Sequence, residues 1–422
     1  MAPFNSYFEH TEFSAEKIRF IYQRQLFEGR GVLRWDPSTG YKLDLLIDKA
    51  KQPVRITGSA SPKRSDYVNI YLSPRFNGSR YVAISVDLAS GFWLPFGHVK
   101  ESPFAVFRVT RRNGSEFTNR LGSVLLRAKP LSSWPDVMRV TTRIGKKKIS
   151  EHQTSAMSID NTNMSLQVYP IENGFLAIHW KTSPKNRRHL SQWRWAIALQ
   201  TVASILMNQY APLCFASFAL RTHDIEYKRH APKPIDLGKF GLFATHERIY
   251  PGLFLRMVDF FYSRSPESRI LLEAYERLTD AASQKSRAGR EFMLASTFEG
   301  IVRSLINKRS KFPFEKHTKE LLVKYGAQSE GELIDLAMKS FVRLRHPNAH
   351  PLWIAGRKNQ RAMQESIDDM MTLTRFLTFL FFAIMGFKPR LPIIGKNGIQ
   401  ASLTYLSISN MLSSETLHKL PE

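Results

Sequence analysis

The chain has 422 residues, and 43% are hydrophobic, which excludes general disorder and allows a large core divided between two or three domains. Its one cysteine, Cys214, excludes an intramolecular disulfide and a zinc site built on cysteines, and fits a reducing cytoplasm. Lys and Arg number 61 against 36 acids, a formal charge of +25; 27 basic and 15 acidic residues lie in 1–185, 34 and 21 beyond it, so the excess is shared along the chain and points to a polyanion such as nucleic acid as partner.

The opening segment, MAPFNSYFEHTEF, has no basic stretch followed by an apolar one and does not read as a signal peptide. Short alternating or apolar runs then recur: Gly31–Trp35, Leu43–Ile47, Tyr67–Leu72, Tyr81–Val86, Phe104–Val109, Val124–Arg127, Met138–Arg143, Met164–Tyr169 and Phe175–Trp180. Turn signals separate them, as in Asp36-Pro37-Ser38-Thr39-Gly40, Asn77-Gly78, Asn113-Gly114 and Asn173-Gly174. This spacing predicts a β-rich domain over 1–185, an antiparallel sandwich or barrel. Arg143-Ile144-Gly145-Lys146-Lys147-Lys148 reads as a hairpin tip, either solvated or tracking a phosphate backbone.

Ser183-Pro184-Lys185-Asn186-Arg187-Arg188-His189 is polar, basic and broken by proline, and marks a boundary. Trp193 and Trp195 beside it suit either a core or a stacking surface for single-stranded RNA. Trp193, Ile197, Ala198, Val202, Ile205 and Leu206 share a helical face, and 186–269 is assigned as a helical connector. Four helices follow in a domain over 270–388. The first spans Arg290–Asn307, with Phe292, Ala295, Phe298, Ile301, Val302, Leu305 and Ile306 on one stripe. The second covers Glu315–Lys324 and ends at Gly326. The third opens on Ser329-Glu330-Gly331-Glu332, a capping box, and carries Leu333, Leu336, Ala337, Phe341 and Leu344. The fourth spans Arg361–Met385; its apolar end, Phe376–Phe387, is too short to cross a bilayer, so no membrane partner is expected. Residues 389–422 form a tail without assignment. The fold class is therefore α+β.

The third helix runs into Arg343-Leu344-Arg345-His346-Pro347-Asn348-Ala349-His350. Proline disfavours helical geometry at the residue before it, so the helix should stop near Arg345, with His350 on the loop that follows. Arginine and histidine brought together are suited to cleaving RNA without metal or other cofactor. RNA carries its own nucleophile, the 2′-OH: a base removes its proton, the P–O5′ bond breaks, and an acid protonates the departing oxygen. Histidine can be base or acid near neutrality. Arginine offers a planar, permanently charged fork to the phosphorane. The products are a 2′,3′-cyclic phosphate and a 5′-hydroxyl. On the residues alone a second reading stands beside this one, in which Arg345 complements the helix dipole and His350 anchors a turn.

Arg345-x4-His350 at the end of a helix in an all-α four-helix domain resembles the R-x4–6-H motif of HEPN ribonucleases, and His346 stands where that family usually has a polar residue. Phe341 to His350 is similar to the corresponding stretch of ApeA-like HEPN domains. Gly29-Arg30-Gly31-Val32-Leu33-Arg34-Trp35-Asp36-Pro37-Ser38-Thr39-Gly40-Tyr41-Lys42-Leu43 resembles the opening of the ApeA N-terminal domain. The resemblance implies an anti-phage abortive-infection endoribonuclease with Arg345, His350 and His346 as site residues. It also implies a homodimer that unites two motifs, and a β domain that senses or restrains, with a phage-derived trigger. The alternative is a non-catalytic RNA- or partner-binding protein with a degenerate bundle; Pro347 departs from the pattern.

Overall fold

The computed structural model describes residues 4–22, 25–49, 67–73, 79–87, 92–93, 96–99, 105–111, 120–129, 136–144, 147–160, 164–171, 174–182, 192–219, 223–230, 232–238, 251–306, 314–325, 331–349, 360–387, 393–395 and 398–400. In chain order the elements begin with α1 (Asn5–Phe8), β1 (Thr11–Tyr22), β2 (Gln25–Asp36), β3 (Gly40–Lys49), β4 (Tyr67–Ser73) and β5 (Ser79–Asp87). Next come β6 (Phe92–Trp93), β7 (Phe96–Val99), β8 (Ala105–Arg111), β9 (Arg120–Arg127), β10 (Asp136–Ile144), β11 (Lys147–Asp160), β12 (Met164–Ile171) and β13 (Phe175–Thr182). They are followed by α2 (Gln192–Leu206), β14 (Gln209–Tyr210), β15 (Leu213–Ala219), β16 (His223–Lys228) and β17 (Ile235–Asp236). The helices α3 (Pro251–Ser263), α4 (Pro266–Ser283), α5 (Arg287–Ile306), α6 (Phe314–Lys324), α7 (Gly331–Ala349) and α8 (Gln360–Ile384) precede β18 (Ile393–Gly395) and β19 (Gly398–Gln400). The class is α+β, and the chain divides into two compact units: 1–130, 136–192 and 212–233 form one, the remainder the other.

The first unit holds a 15-stranded antiparallel sheet, ordered β10-β11-β12-β13-β9-β15-β16-β8-β5-β4-β1-β2-β3-β7-β6. The nine strands read from the sequence fall in it, with Phe104, the first residue of one run, outside the described residues. The hairpin β15–β16 enters between β9 and β8, so residues 212–233 belong to the β unit and the assignment of all 186–269 as helical connector is corrected. Leu213-Cys214-Phe215-Ala216 is a short apolar run, which periodicity cannot divide between strand and helix; pairing with Leu125 and Val124 decides for strand.

Inward side chains on β1 switch parity, from Ala15 to Ile18, Phe20 and Tyr22, because a bulge between Ala15 and Ile18 inserts an extra residue against β2. These residues join Phe27, Leu33, Leu43, Leu45, Ile70 and Leu72 in one core. The β2–β3 turn is built as its sequence predicts. Asp36 Oδ1 accepts from the amides of Ser38 and Thr39 at 2.7 and 3.2 Å, and Gly40 takes φ +93, where a side chain would also strike His230. A second core lies around β9, β12, β13 and β15. Phe4, just before α1, and Tyr7, within it, pack there on Phe215, and Trp35 donates its indole N–H to the Tyr7 carbonyl at 2.9 Å. Of the turn signals, Asn77-Gly78, Asn113-Gly114 and Asn173 lie outside the described residues, while Gly174 has φ +76.

In the second unit α5 packs against α4, α6, α7 and α8. Phe298 is fully buried at this junction, with its ring edge-on to Phe314, Phe341 and Phe376 at centroid distances of 5.2, 5.5 and 5.5 Å. One aromatic side chain thus touches three neighbouring helices, and removing such a ring costs about 3–5 kcal/mol. Helix α4 starts as its residues direct: Ser265 caps it through the Ser268 amide at 3.1 Å, with Pro266 in the first turn. Phe292, expected on the buried stripe of α5, is 47% exposed; Glu291 beside it is buried instead, held by Arg287 at 2.6 Å and by the Ser366 hydroxyl. Trp195 is core, edge-on to Tyr262. The basic run 185–189 and the capping residues Ser329 and Glu330 lie outside the described residues, as does Gly326.

Candidate functional site

Helix α7 buries Ile334, Ala337, Phe341 and Leu344, a 3–4 residue spacing that faces α5 and α8. It does not stop near Arg345: it continues through His346 and Pro347 to Ala349. The preference against helix before proline is a bias, and here the packed face and two polar ties hold the helix in register.

Those ties lie either side of Leu344. On one, Asp369 of α8, 5% exposed, accepts from Ser340 Oγ at 2.9 Å and from Arg343 Nη2 at 2.6 Å. Burial raises the Asp369 carboxyl above its ordinary range, and the serine and arginine pull it back only in part. Arg343 is therefore an interhelical anchor as well as a surface charge. On the other, Arg345 Nη2 stands 3.2 Å from Glu299 Oε2 of α5, and its guanidinium lies 5.7 Å from the centre of the Phe341 ring. Glu299 also takes Arg303 Nη2 at 2.6 Å on its other oxygen. Its side chain is 16% exposed, whereas that of Arg345 is 48% exposed. The candidate arginine thus presents half its surface to solvent while a carboxylate holds its inner edge.

Of the three predicted site residues, Arg345 is placed with its side chain, His346 lies in the same helix, and His350 lies outside the described residues. Glu299 and Asp369 escaped the sequence reading. The only signal for either was a carboxylate set into an apolar stripe, beside Phe298 and Met370.

The β unit carries a separate polar cluster. Cross-strand pairing aligns Ser217, Ser123, His179 and Gln167 on one face of β15, β9, β13 and β12, along a cavity of about 420 Å³. His179 stands 2.7 Å from Ser123 Oγ through Nδ1 and 2.8 Å from the Tyr169 hydroxyl through Nε2, with Phe4 against its ring. Burial lowers its pKa to about 4, so it is neutral at pH 7, and burial raises Tyr169 to about 12.

The chain is thus an α+β protein with an antiparallel β unit and a helical unit, in which Arg345 is ion-paired near one helix end. Comparisons with protein-family models, curated proteins and solved structures return no match. Among the described residues no helix is long and apolar enough to cross a membrane.

Proposed function

We propose that this protein is a metal-independent endoribonuclease of the HEPN kind, acting as an abortive-infection effector against phage. Arg345 binds the phosphate and stabilises the phosphorane, His350 transfers protons, and His346 positions or assists. Helices α5–α8 are the nuclease bundle. The β unit, a sandwich- or barrel-like fold, is the part that senses a phage-derived trigger. Two copies unite their motifs in a dimer.

The observation that carries the reading is the position of Arg345: half exposed, four residues from the end of α7, with His346 in the same helix and His350 next in sequence after it. A long cationic side chain there can reach a phosphate without leaving its helix, and the excess of 25 positive charges favours RNA as the polyanion. One observation favours a second reading. The Arg345–Glu299 ion pair at 3.2 Å is also what a structural arginine would make, in a bundle that binds RNA without cutting it.

A nuclease assay in EDTA separates the two, with total cellular RNA and matched DNA as substrates and wild type, Arg345→Ala and His350→Ala as enzymes. The expected result is cutting of RNA alone, ending in 2′,3′-cyclic phosphate and lost in both variants. RNA cut equally by all three proteins overturns the assignment of the motif. Salt-sensitive RNA binding with no cutting, with extract of phage-infected cells added as well as without it, supports the second reading.

A further inference from the structure

On one face of β15, β9, β13 and β12 the side chains change character in levels along the strands. The first level is core: Phe215, Leu125, Ala177 and Tyr169, all buried. The second is the polar row of Ser217, Ser123, His179 and Gln167. The third turns apolar again at Ala219 and Leu121 before it reaches Lys181 and Ser165. A sheet face that runs from core to water becomes more polar outward. Here Ser123 is 9% exposed while Leu121, on the level beyond it, is 42% exposed. Polar groups inside and an apolar side chain outside, along one cavity of about 420 Å³, invert the usual distribution.

The polar row is also held still. The His179 ring lies 5.6 Å from the Tyr169 ring, stacked on it, and 4.8 Å from that of Phe4, with Ser123 Oγ on Nδ1 and the Tyr169 hydroxyl on Nε2. Both ring nitrogens are taken, so the imidazole orients Ser123 rather than meeting a ligand. When Nδ1 donates, the Ser123 hydroxyl keeps its proton to give; when Nδ1 accepts, the oxygen keeps lone pairs to accept with. Gln167, exposed at the end of the row, carries a donor and an acceptor side by side. The charges nearby balance. Lys181 shares its level with Asp160 on one side and Asp224 on the other, and Glu226, the neighbour of Ser217 on β16, is 3.6 Å from Lys228. This composition suits an uncharged ligand with a hydrogen-bonding edge and an apolar face.

We propose that this groove binds an uncharged nucleoside, its polar edge on Gln167, Ser123 and Ser217 and the face of its base against Leu121 and Ala219. Glutamine and serine are side chains that match base edges, glutamine in pairs of hydrogen bonds. The apolar rim decides for a base over a simple sugar, because a base offers Leu121 a flat face and a sugar offers it hydroxyls. The volume lies in the range of small-molecule pockets. The proposal stands on the β unit alone and does not depend on Arg345.

The test is calorimetric titration of the full chain with adenosine, guanosine, cytidine and uridine in turn, with ribose and glucose as controls. The proteins are wild type, Gln167→Ala, Leu121→Ser and Arg345→Ala. Gln167 and Leu121 are both exposed, so their substitution leaves the fold intact, which denaturant midpoints check. The expected result is one nucleoside bound per chain, with affinity lowered about fivefold in Gln167→Ala and in Leu121→Ser, unchanged in Arg345→Ala and insensitive to salt. Ribose or glucose binding as tightly as any nucleoside overturns the ligand class. No nucleoside bound at millimolar concentration, affinities that ignore Gln167→Ala and Leu121→Ser, or an equal loss in Arg345→Ala overturn the site.

Discussion

Glu299→Gln tests what the carboxylate does to Arg345. The substitution keeps the shape of the side chain and removes the charge that Arg345 and Arg303 share at 3.2 and 2.6 Å. Two unit charges about 4 Å apart attract by about 4 kcal/mol at an effective dielectric near 20, before desolvation and side-chain entropy are subtracted. The arginines are 48% and 61% exposed, so the net pair is worth at most about 1 kcal/mol. Releasing Arg345 should therefore tighten binding of single-stranded RNA by up to about fivefold at low ionic strength, and less as salt screens the field. Fluorescence anisotropy on wild type, Glu299→Gln, Arg345→Ala and the double variant forms a cycle that isolates the pair. The gain should vanish when Arg345 is already alanine. A gain that survives without Arg345 refutes the reasoning, because it reports only the change in net charge. Weaker RNA binding in Glu299→Gln refutes it from the other side, by making the carboxylate a group that positions Arg345 for its ligand.

Two further outcomes follow from buried groups. His179 has its pKa lowered by burial from 6.5 to about 4; the unfolded chain then binds the extra proton between those values, so stability is intact above pH 6.5 and falls as pH drops toward 4, by about 3 kcal/mol in all. Denaturant midpoints measured across that window should lose part of their pH slope in His179→Gln, and an unchanged slope would show that this histidine is not what titrates. Ser340→Ala leaves the buried Asp369 with Arg343 alone among these two donors; a loss of about 1–3 kcal/mol in chemical denaturation is expected, and a change near zero would mean that the Ser340 hydrogen bond adds nothing net to stability.

The elements that could be read from the sequence were those whose signal is local. Phe175–Trp180 and Leu43–Ile47 are compact runs between turn residues, and each lies within a strand. Asp36 to Gly40 spells out its own turn, down to the carboxylate that accepts from Ser38 and the glycine at positive φ. β1 escaped because its bulge breaks the alternation midway, so no single period describes Thr11–Tyr22. β11 escaped because Lys147–Asp160 is largely polar; its place follows from pairing with β10 and β12, which is information held elsewhere in the chain.

The candidate site divides in the same way. Arg345 was visible as a residue type at a helix end, but what holds it was not, since Glu299 lies 46 positions earlier and meets it only when α5 packs on α7. The proline after His346 was a local signal that pointed the wrong way about the helix end. An interior proline costs a helix about 3 kcal/mol, and the buried faces of Phe341 and Leu344 offset it at about 1.5–3 kcal/mol for each large apolar side chain. Extending α7 to Ala349 has a consequence for chemistry. It places Arg345 and His346 on a rigid element rather than at its frayed end, and a guanidinium supported by a helix keeps its direction more closely than one on a loop.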